Sequence, residues 1–306
     1  MFRYLFLFIT FFLSILHADL NMTDIDEYHD NFAEWLVNTS DTLDNYFIDS
    51  NKTTHSKTYA EVKTSCAFEN SQKSEYALRL KIRINLPKLQ DKLRIVFEDA
   101  TSDDELYDGT KLNNNYEHLE NQSYSFRLEY FNYIIKKFRI IMGVGARFKK
   151  FNLQPYLNMK VKYKIEDTPE HKESFFNRFR YYSDGDIENT TLLKSLYILD
   201  NNFFFTLNNS FRYRNWTSKR DIVNDASFVR LLRKKEQVSI GASITSKQEK
   251  SNIYVEYYQL YHSYRNLLYK DWVYYELLSS VLKRRENDYH DSYRFMFNIG
   301  AVFGKD

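Results

Sequence analysis

The stretch "YALRLKIRINLPKLQDKLRIVFED", residues 76–99, decides the fold. Successive side chains of an extended chain point to opposite sides. Leu78, Leu80, Ile82, Ile84 and Leu86 therefore share one face, and Arg79, Lys81, Arg83 and Asn85 take the other. After "PKLQD" the alternation resumes, with Leu93, Ile95 and Phe97 against Arg94, Val96 and Glu98. The pattern predicts a hairpin with a greasy face and a cationic one.

The same alternation runs on through the chain. "FRIIMGVGARF" sets Phe138, Ile140, Met142, Val144, Ala146 and Phe148 against Arg139, Gly143, Gly145 and Arg147. "NLQPYLNMKVKYKI" sets Leu153, Leu157, Met159 and Val161 against Tyr156, Asn158, Lys160, Lys162 and Lys164. "FFFTLNNSFRYR" sets Phe203, Phe205, Leu207 and Phe211 against Thr206, Asn208, Arg212 and Arg214. Walking the turns predicts about 14 strands: 57–67, 73–86, 91–98, 122–131, 137–149, 152–165, 173–183, 187–199, 202–215, 224–233, 236–247, 251–264, 270–283 and 291–303. Twelve remain if 91–98 or 187–199 fails; either number is even, as single-chain bacterial barrels require.

Alternation also fits a soluble sandwich with its polar side in water. Length argues otherwise, because most of these runs far exceed the roughly 5–6 residues of soluble strands. They match the ~9–11 residues that cross a bilayer at a tilt. Aromatic residues gather near strand ends, in "YYS" at 181, "YRNW" at 213 and "YKDWVYY" at 269, as interfacial belts do. Connections at one end are tight ("PKLQ", "DN", "KKE"), whereas the other end holds "DATSDDELYDGTKLNNNYEHLEN" and "WTSKRDIVND". "KKF" and "QEK" are short exceptions there, and "EDTPEHK" is a longer one at the tight end. The last strand, "FMFNIGAVFGKD", partly matches a barrel-assembly signal through Asn298, Gly300 and Phe303, with Lys305 and Asp306 where a final aromatic is expected. The expected fold is all-β: a transmembrane, antiparallel, up-and-down β-barrel with a short N-terminal helical segment.

"MFRYLFLFITFFLSILHADL" has a basic Arg3, an apolar run from Tyr4 to Leu16 and "LHA" before Asp19. It reads as a secretory signal peptide over residues 1–18, cleaved after Ala18; an uncleaved anchor is the rival. Residues 19–56 form an amphipathic helical segment, periplasmic or plugging. Tyr28, Phe32, Trp35, Leu36, Leu43, Tyr46 and Phe47 lie on one stripe of one or two short helices, with Thr23 and Asp26 as a capping pair. Residues 57–306 form the barrel. The net charge is +2 over 306 residues, which gives no field for nucleic acid. Cys66 is the sole cysteine, so no intramolecular disulfide exists, and it falls on the apolar side of its strand as a small filler.

The order of these parts resembles uncharacterised outer-membrane barrel proteins of proteobacteria. The shared features are the signal peptide, a helical segment ending like "SDTLDNYF", the "LRLKIRINLPKLQDKLRIVF" hairpin and a late "YKDWVYYEL" segment. The resemblance implies a bacterial outer-membrane location, and outer-membrane lipid and the barrel assembly machinery as partners. It implies no activity.

On this register the lumen receives Arg79, Lys81, Arg83, Arg94, Glu98, Arg127, Glu129, Arg139, Arg147, Lys160, Lys162, Lys164, Arg178, Arg180, Arg212 and Arg214, joined by Glu256 or Glu276. A charge on the lipid face costs about 2–4 kcal/mol near mid-bilayer, so the inward position is forced before function is considered. Two readings stay open: an Arg–Glu network that fills and stiffens a closed structural or interaction barrel, and a cationic path for small anionic solutes. Catalytic patterns are poor. The histidines stand singly, without zinc spacing. Glycine loops for phosphate and a Gly-x-Ser-x-Gly elbow are both missing. His262 with Ser263, or His290 with Asp291 and Ser292, would be needed for an outer-membrane hydrolase, the third reading. "TSDDELYD" is acidic but lacks ordered calcium-ligand spacing. The expectation is a non-catalytic channel or binding barrel, with no cofactor and no metal.

Overall fold

The computed structural model describes residues 22–47, 58–70, 72–86, 93–99, 124–149, 152–217, 219–233 and 236–304. One helix, α1 (Met22–Phe47), precedes fourteen strands among these residues. They are β1 (Tyr59–Glu69), β2 (Glu75–Leu86), β3 (Leu93–Asp99), β4 (Tyr124–Ile135), β5 (Phe138–Lys149), β6 (Asn152–Asp167) and β7 (His171–Tyr182). Then come β8 (Ile187–Asp200), β9 (Phe203–Arg214), β10 (Lys219–Arg233), β11 (Glu236–Glu249), β12 (Asn252–Tyr269), β13 (Val273–Arg284) and β14 (Asp291–Gly304). Each strand pairs antiparallel with its sequence neighbours, and β1 pairs with β14 from Tyr59↔Gly304 to Glu69↔Arg294. Among the described residues the sheet closes into a barrel.

The predicted strands are found, with two boundaries moved by five residues: β12 runs on to Tyr269 rather than ending at 264, and the start of β10 also shifts. β10 starts at Lys219 rather than 224, so most of "WTSKRDIVND" is strand and not loop. Arg220 and Asp221 hide this in the sequence, because they interrupt the apolar alternation. In the barrel Asp221 points inward and takes a 2.6 Å ion pair from Arg214 on β9. The acidic loop and the signal peptide lie outside the described residues.

The two faces invert the pattern of a water-soluble sheet. Leu78, Leu157, Ile240 and Leu260 face outward and are 58, 59, 61 and 64% exposed. Arg127, Lys160, Arg178 and Arg180 face inward and are at most 1% exposed. Large aliphatics outside and cations buried inside suit a barrel whose exterior meets hydrocarbon. Cys66 faces outward between its neighbours and is buried.

Three inward glycines have a tyrosine directly opposite on the next strand: Gly145 with Tyr156, Gly241 with Tyr261 and Gly300 with Tyr274. A Cβ on Gly145 would stand 2.6 Å from the Tyr156 ring, and one on Gly300 would stand 2.5 Å from the Tyr274 hydroxyl. These glycines leave room for rings that lie across the neighbouring strand and line the wall.

α1 is a single helix, not two. Thr23 lies within it, and Asp26 leaves the proposed cap to reach the rim of the barrel. Its principal strand contacts are with β14 and β2, and its first turns reach the β12–β13 turn. Those strands are consecutive around the wall with β1 between β14 and β2, so α1 runs along the rim at the end where β1 begins.

Candidate functional site

Charge is not spread evenly round the lumen. The inward faces of β2–β9 carry Arg79, Lys81, Arg83, Arg94, Arg127, Arg139, Arg147, Lys160, Lys162, Arg178, Arg180, Arg212 and Arg214. Their main described acids are Glu75, Glu129 and Glu188. The faces of β10–β14 and β1 carry Asp221, Asp225, Glu276, Glu61 and Glu69 with Lys63, Arg265, Arg284 and Arg294. One wall is strongly basic and the other is mixed.

Glu129 organises the first cluster. Arg94 donates from Nε to its Oε2 at 2.8 Å and also through Nη2. Arg127 Nε reaches Oε1 at 2.7 Å, and Lys160 Nζ lies 3.0 Å from that oxygen. Register brings these residues together. Arg94 sits opposite Glu129 on one side, Gly143 of β5 sits opposite it on the other, and a β-bulge follows between Glu129 and Phe131. Glu188 organises the second cluster, with Arg178 Nη2 at 2.7 Å and Arg180 Nη1 at 3.8 Å. Between the clusters Lys160 pairs directly with Arg178, and Asn158 with Arg180. Both polar atoms of the buried Asn158 amide lack a hydrogen-bond partner.

Four other predicted lumen cations, Arg147, Lys81, Arg83 and Lys162, hold aromatic or amide partners. Arg147 donates to Gln154 at 2.6 Å and lies over the rings of Tyr182 (4.3 Å) and Trp216 (5.2 Å). Lys81 and Arg83 lie 5.6 and 5.3 Å from the Tyr59 ring, and Lys162 lies 5.6 Å from Phe176. Contacts of this kind are worth about 0.5–2 kcal/mol each and leave the cation charged. Arg79 is half-buried opposite Lys63, Arg139 is opposite Lys162, and Arg212 is opposite Asp221 and Thr190. Lys164 is exposed at the mouth and pairs with Asp167. Of the two further glutamates, Glu276 faces inward to Arg265 at 3.3 Å, and Glu256 pairs with Lys247 at 2.8 Å. The side chain of Glu98 lies outside the described residues.

Several lumen residues escaped the sequence reading. Glu69 accepts from Arg284 at 3.0 Å, and Arg294 reaches Glu75 at 3.1 Å. Buried Asp225 accepts from the Tyr261 hydroxyl at 2.7 Å, and Tyr274 donates to Glu61. Their signal was present as inward parity, but "IVNDASF" and "LLSSVLKRR" place apolar residues on both faces and mask it. His262 and Ser263 point to opposite faces: His262 is exposed outside, and Ser263 meets Ser239 inside at 2.5 Å. Ser292 is buried and donates to Glu69 at 2.7 Å. No group of three metal-ligating side chains occurs among the described residues.

At the rim, α1 is latched to the wall. Asp26 Oδ2 accepts from Lys270 Nζ at 2.6 Å and from the Tyr269 hydroxyl at 3.0 Å. His29 stacks on Trp272 at 4.3 Å and closes one side of a cavity of about 360 Å³ that Arg265, Tyr274 and Gln237 also line. The hydrogen bond from Lys270 holds the Asp26 carboxyl below the ordinary carboxylate range, and Asp26 in turn raises the Lys270 ammonium. A lowered acid pKa contributes stability above the unfolded value and loses it as pH falls through the folded value. A raised lysine pKa contributes below the unfolded value and loses it only as pH rises through the folded one. The latch therefore holds across neutral pH. Acidification below the ordinary aspartate value of about 3.9 should make α1 more protease-sensitive. Lys270→Met should make α1 equally sensitive at neutral pH, and an unchanged digestion profile would mean that the ion pair does not hold the helix in place.

No protein-family description matches the sequence, and no curated protein matches it. The structure is similar to a bacterial polysaccharide outer membrane secretin (12% identity, 82% of this chain and 99% of that one, TM-score 0.45). It is also similar to a loop-deletion mutant of OmpT, an outer membrane protein of Vibrio cholerae (8% identity, 81% and 99%, TM-score 0.48). A third similarity is to OprB of Pseudomonas putida (11% identity, 80% and 92%, TM-score 0.48).

Proposed function

We propose that this chain is an outer-membrane β-barrel that passes or binds small anionic solutes along a basic inner wall, without catalysis. The observation that carries the proposal is the segregation of lumen charge onto β2–β9, where cations far outnumber described carboxylates. A wall of one sign between low-dielectric boundaries focuses the field and raises the local concentration of opposite charge. The mixed wall opposite gives that field a direction across the lumen.

The test is purification from outer-membrane fractions followed by reconstitution in planar bilayers under a salt gradient. The expected result is single-channel conductance with a reversal potential on the anion-selective side. Arg83, Arg139 and Lys162 are only partly buried, so replacing all three by glutamine leaves the two glutamate clusters in place. That variant should lose most of its anion preference while keeping its heat-modifiable gel mobility. A folded barrel with no conductance and no solute binding would instead favour the closed structural reading, in which the ion pairs only stiffen the wall.

A further inference from the structure

α1 has three faces where its sequence suggests two. At 100° per residue, Asp26, His29, Ala33 and Leu36 turn towards the barrel, and Ala33 and Leu36 are 4 and 1% exposed. Glu27, Asp30, Asn31, Glu34 and Asn38 form an exposed polar face. Tyr28, Phe32 and Trp35 form a third, and they are 76, 37 and 56% exposed despite being the largest apolar side chains described in the helix. The three directions lie roughly 120° apart. The single stripe expected from the sequence is thus divided, with Leu36 on the barrel and the aromatics away from it.

The aromatic face continues the outside of the barrel. Phe303 is on the outward side of β14, and the Phe32 ring meets it edge-on at 5.1 Å. Phe32 also stacks with Trp35 at 5.6 Å, so the apolar surface runs unbroken from the wall onto the helix. The rim latch fixes the rotation of α1 and keeps this face turned from the lumen. We infer that α1 is an interfacial helix, with its barrel face on the rim, its acidic face in water and Tyr28, Phe32 and Trp35 seated among the lipid headgroups of the adjoining leaflet. Tyrosine and tryptophan suit that layer because each has an apolar body and a polar edge. α1 contains seven acidic residues and no lysine or arginine, so the leaflet it fits is zwitterionic rather than anionic. The inference rests on the membrane reading proposed above.

Depth-dependent quenching of Trp35 tests it on the full chain in phosphatidylcholine vesicles. Trp35 emission is obtained as the difference between the wild type and Trp35→Phe, with bromine placed high or low on the acyl chains. The expected Trp35 emission is blue-shifted, and shallow bromine quenches it roughly twofold more than deep bromine, as for a helix buried about 5–10 Å into the boundary. Protein that floats with the vesicles while Trp35 emits as in water and escapes quenching would overturn the interfacial helix and leave the barrel proposal intact. Equal quenching at both depths would overturn it too, since the helix would then lie deeper than the headgroups. Protein that does not float with vesicles would overturn the membrane reading, and this inference with it.

Discussion

Glu129→Gln should destabilise the barrel more than any other single substitution on its inner wall. Glu129 is 2% exposed and serves Arg94, Arg127 and Lys160 together. The amide keeps the shape but removes the charge, leaving three cations around a group with one good acceptor oxygen and two unwanted donors. Removing one partner of a buried ion pair costs about 3–5 kcal/mol, because the other charge is left uncompensated. Three stranded cations place this case towards the upper end. The temperature at which the compact gel band converts to the unfolded one should fall clearly, as should the urea midpoint in vesicles. Lys160→Met is the comparison: Glu129 keeps two guanidinium partners, so the loss should be smaller. Wild-type stability for Glu129→Gln would show that water solvates this cluster and that the ion pairs contribute little.

Gly143→Ala should give the second large effect, by sterics rather than charge. A Cβ there would press on the Leu128 carbonyl oxygen and stand 2.9 Å from the Glu129 Cα, both backbone atoms of β4. Backbone held in a ladder on both sides retreats poorly, and overpacking of this kind costs about 1–3 kcal/mol. The push falls on the backbone of Glu129 beside the bulge, so the two substitutions act on the same cluster by different means. Their double variant should lose less than the separate losses combined, a coupling of about 0.5–3 kcal/mol that distant sites do not show. Full additivity would mean that Gly143 only fills space.

Most of the architecture was legible because period-two alternation survives wherever one face must be apolar. "LRLKIRINL" and "NLQPYLNMKVKYKI" gave both the strands and the direction of their cations. What failed to show were features that depend on pairing between strands. The bulge at Glu129–Phe131 leaves no mark in "LEYFNYII". The glycine–tyrosine pairs need the register between strands before Gly145 and Tyr156 can be seen to meet. The choice of Glu129 and Glu188 as centres depends on which neighbours the ladders place opposite them. For α1, apolar spacing revealed an amphipathic helix but not that Leu36 and Trp35 serve different surroundings, since adjacent positions differ by only 100°.

The ladder between β1 and β14 has a consequence for the register of the sheet. Every other ladder joins strands that follow one another in the chain. This one pairs residues 59–69 with 294–304 and has no local event to start it. The entropy of closing so long a loop rises only logarithmically, so the seam is not weak once formed. Closing it with Tyr59 against Gly304 requires the thirteen other ladders to be in register, and a slip in any of them would bring Tyr59 to the wrong partner. The register of this one seam thus reports on the register of the whole sheet.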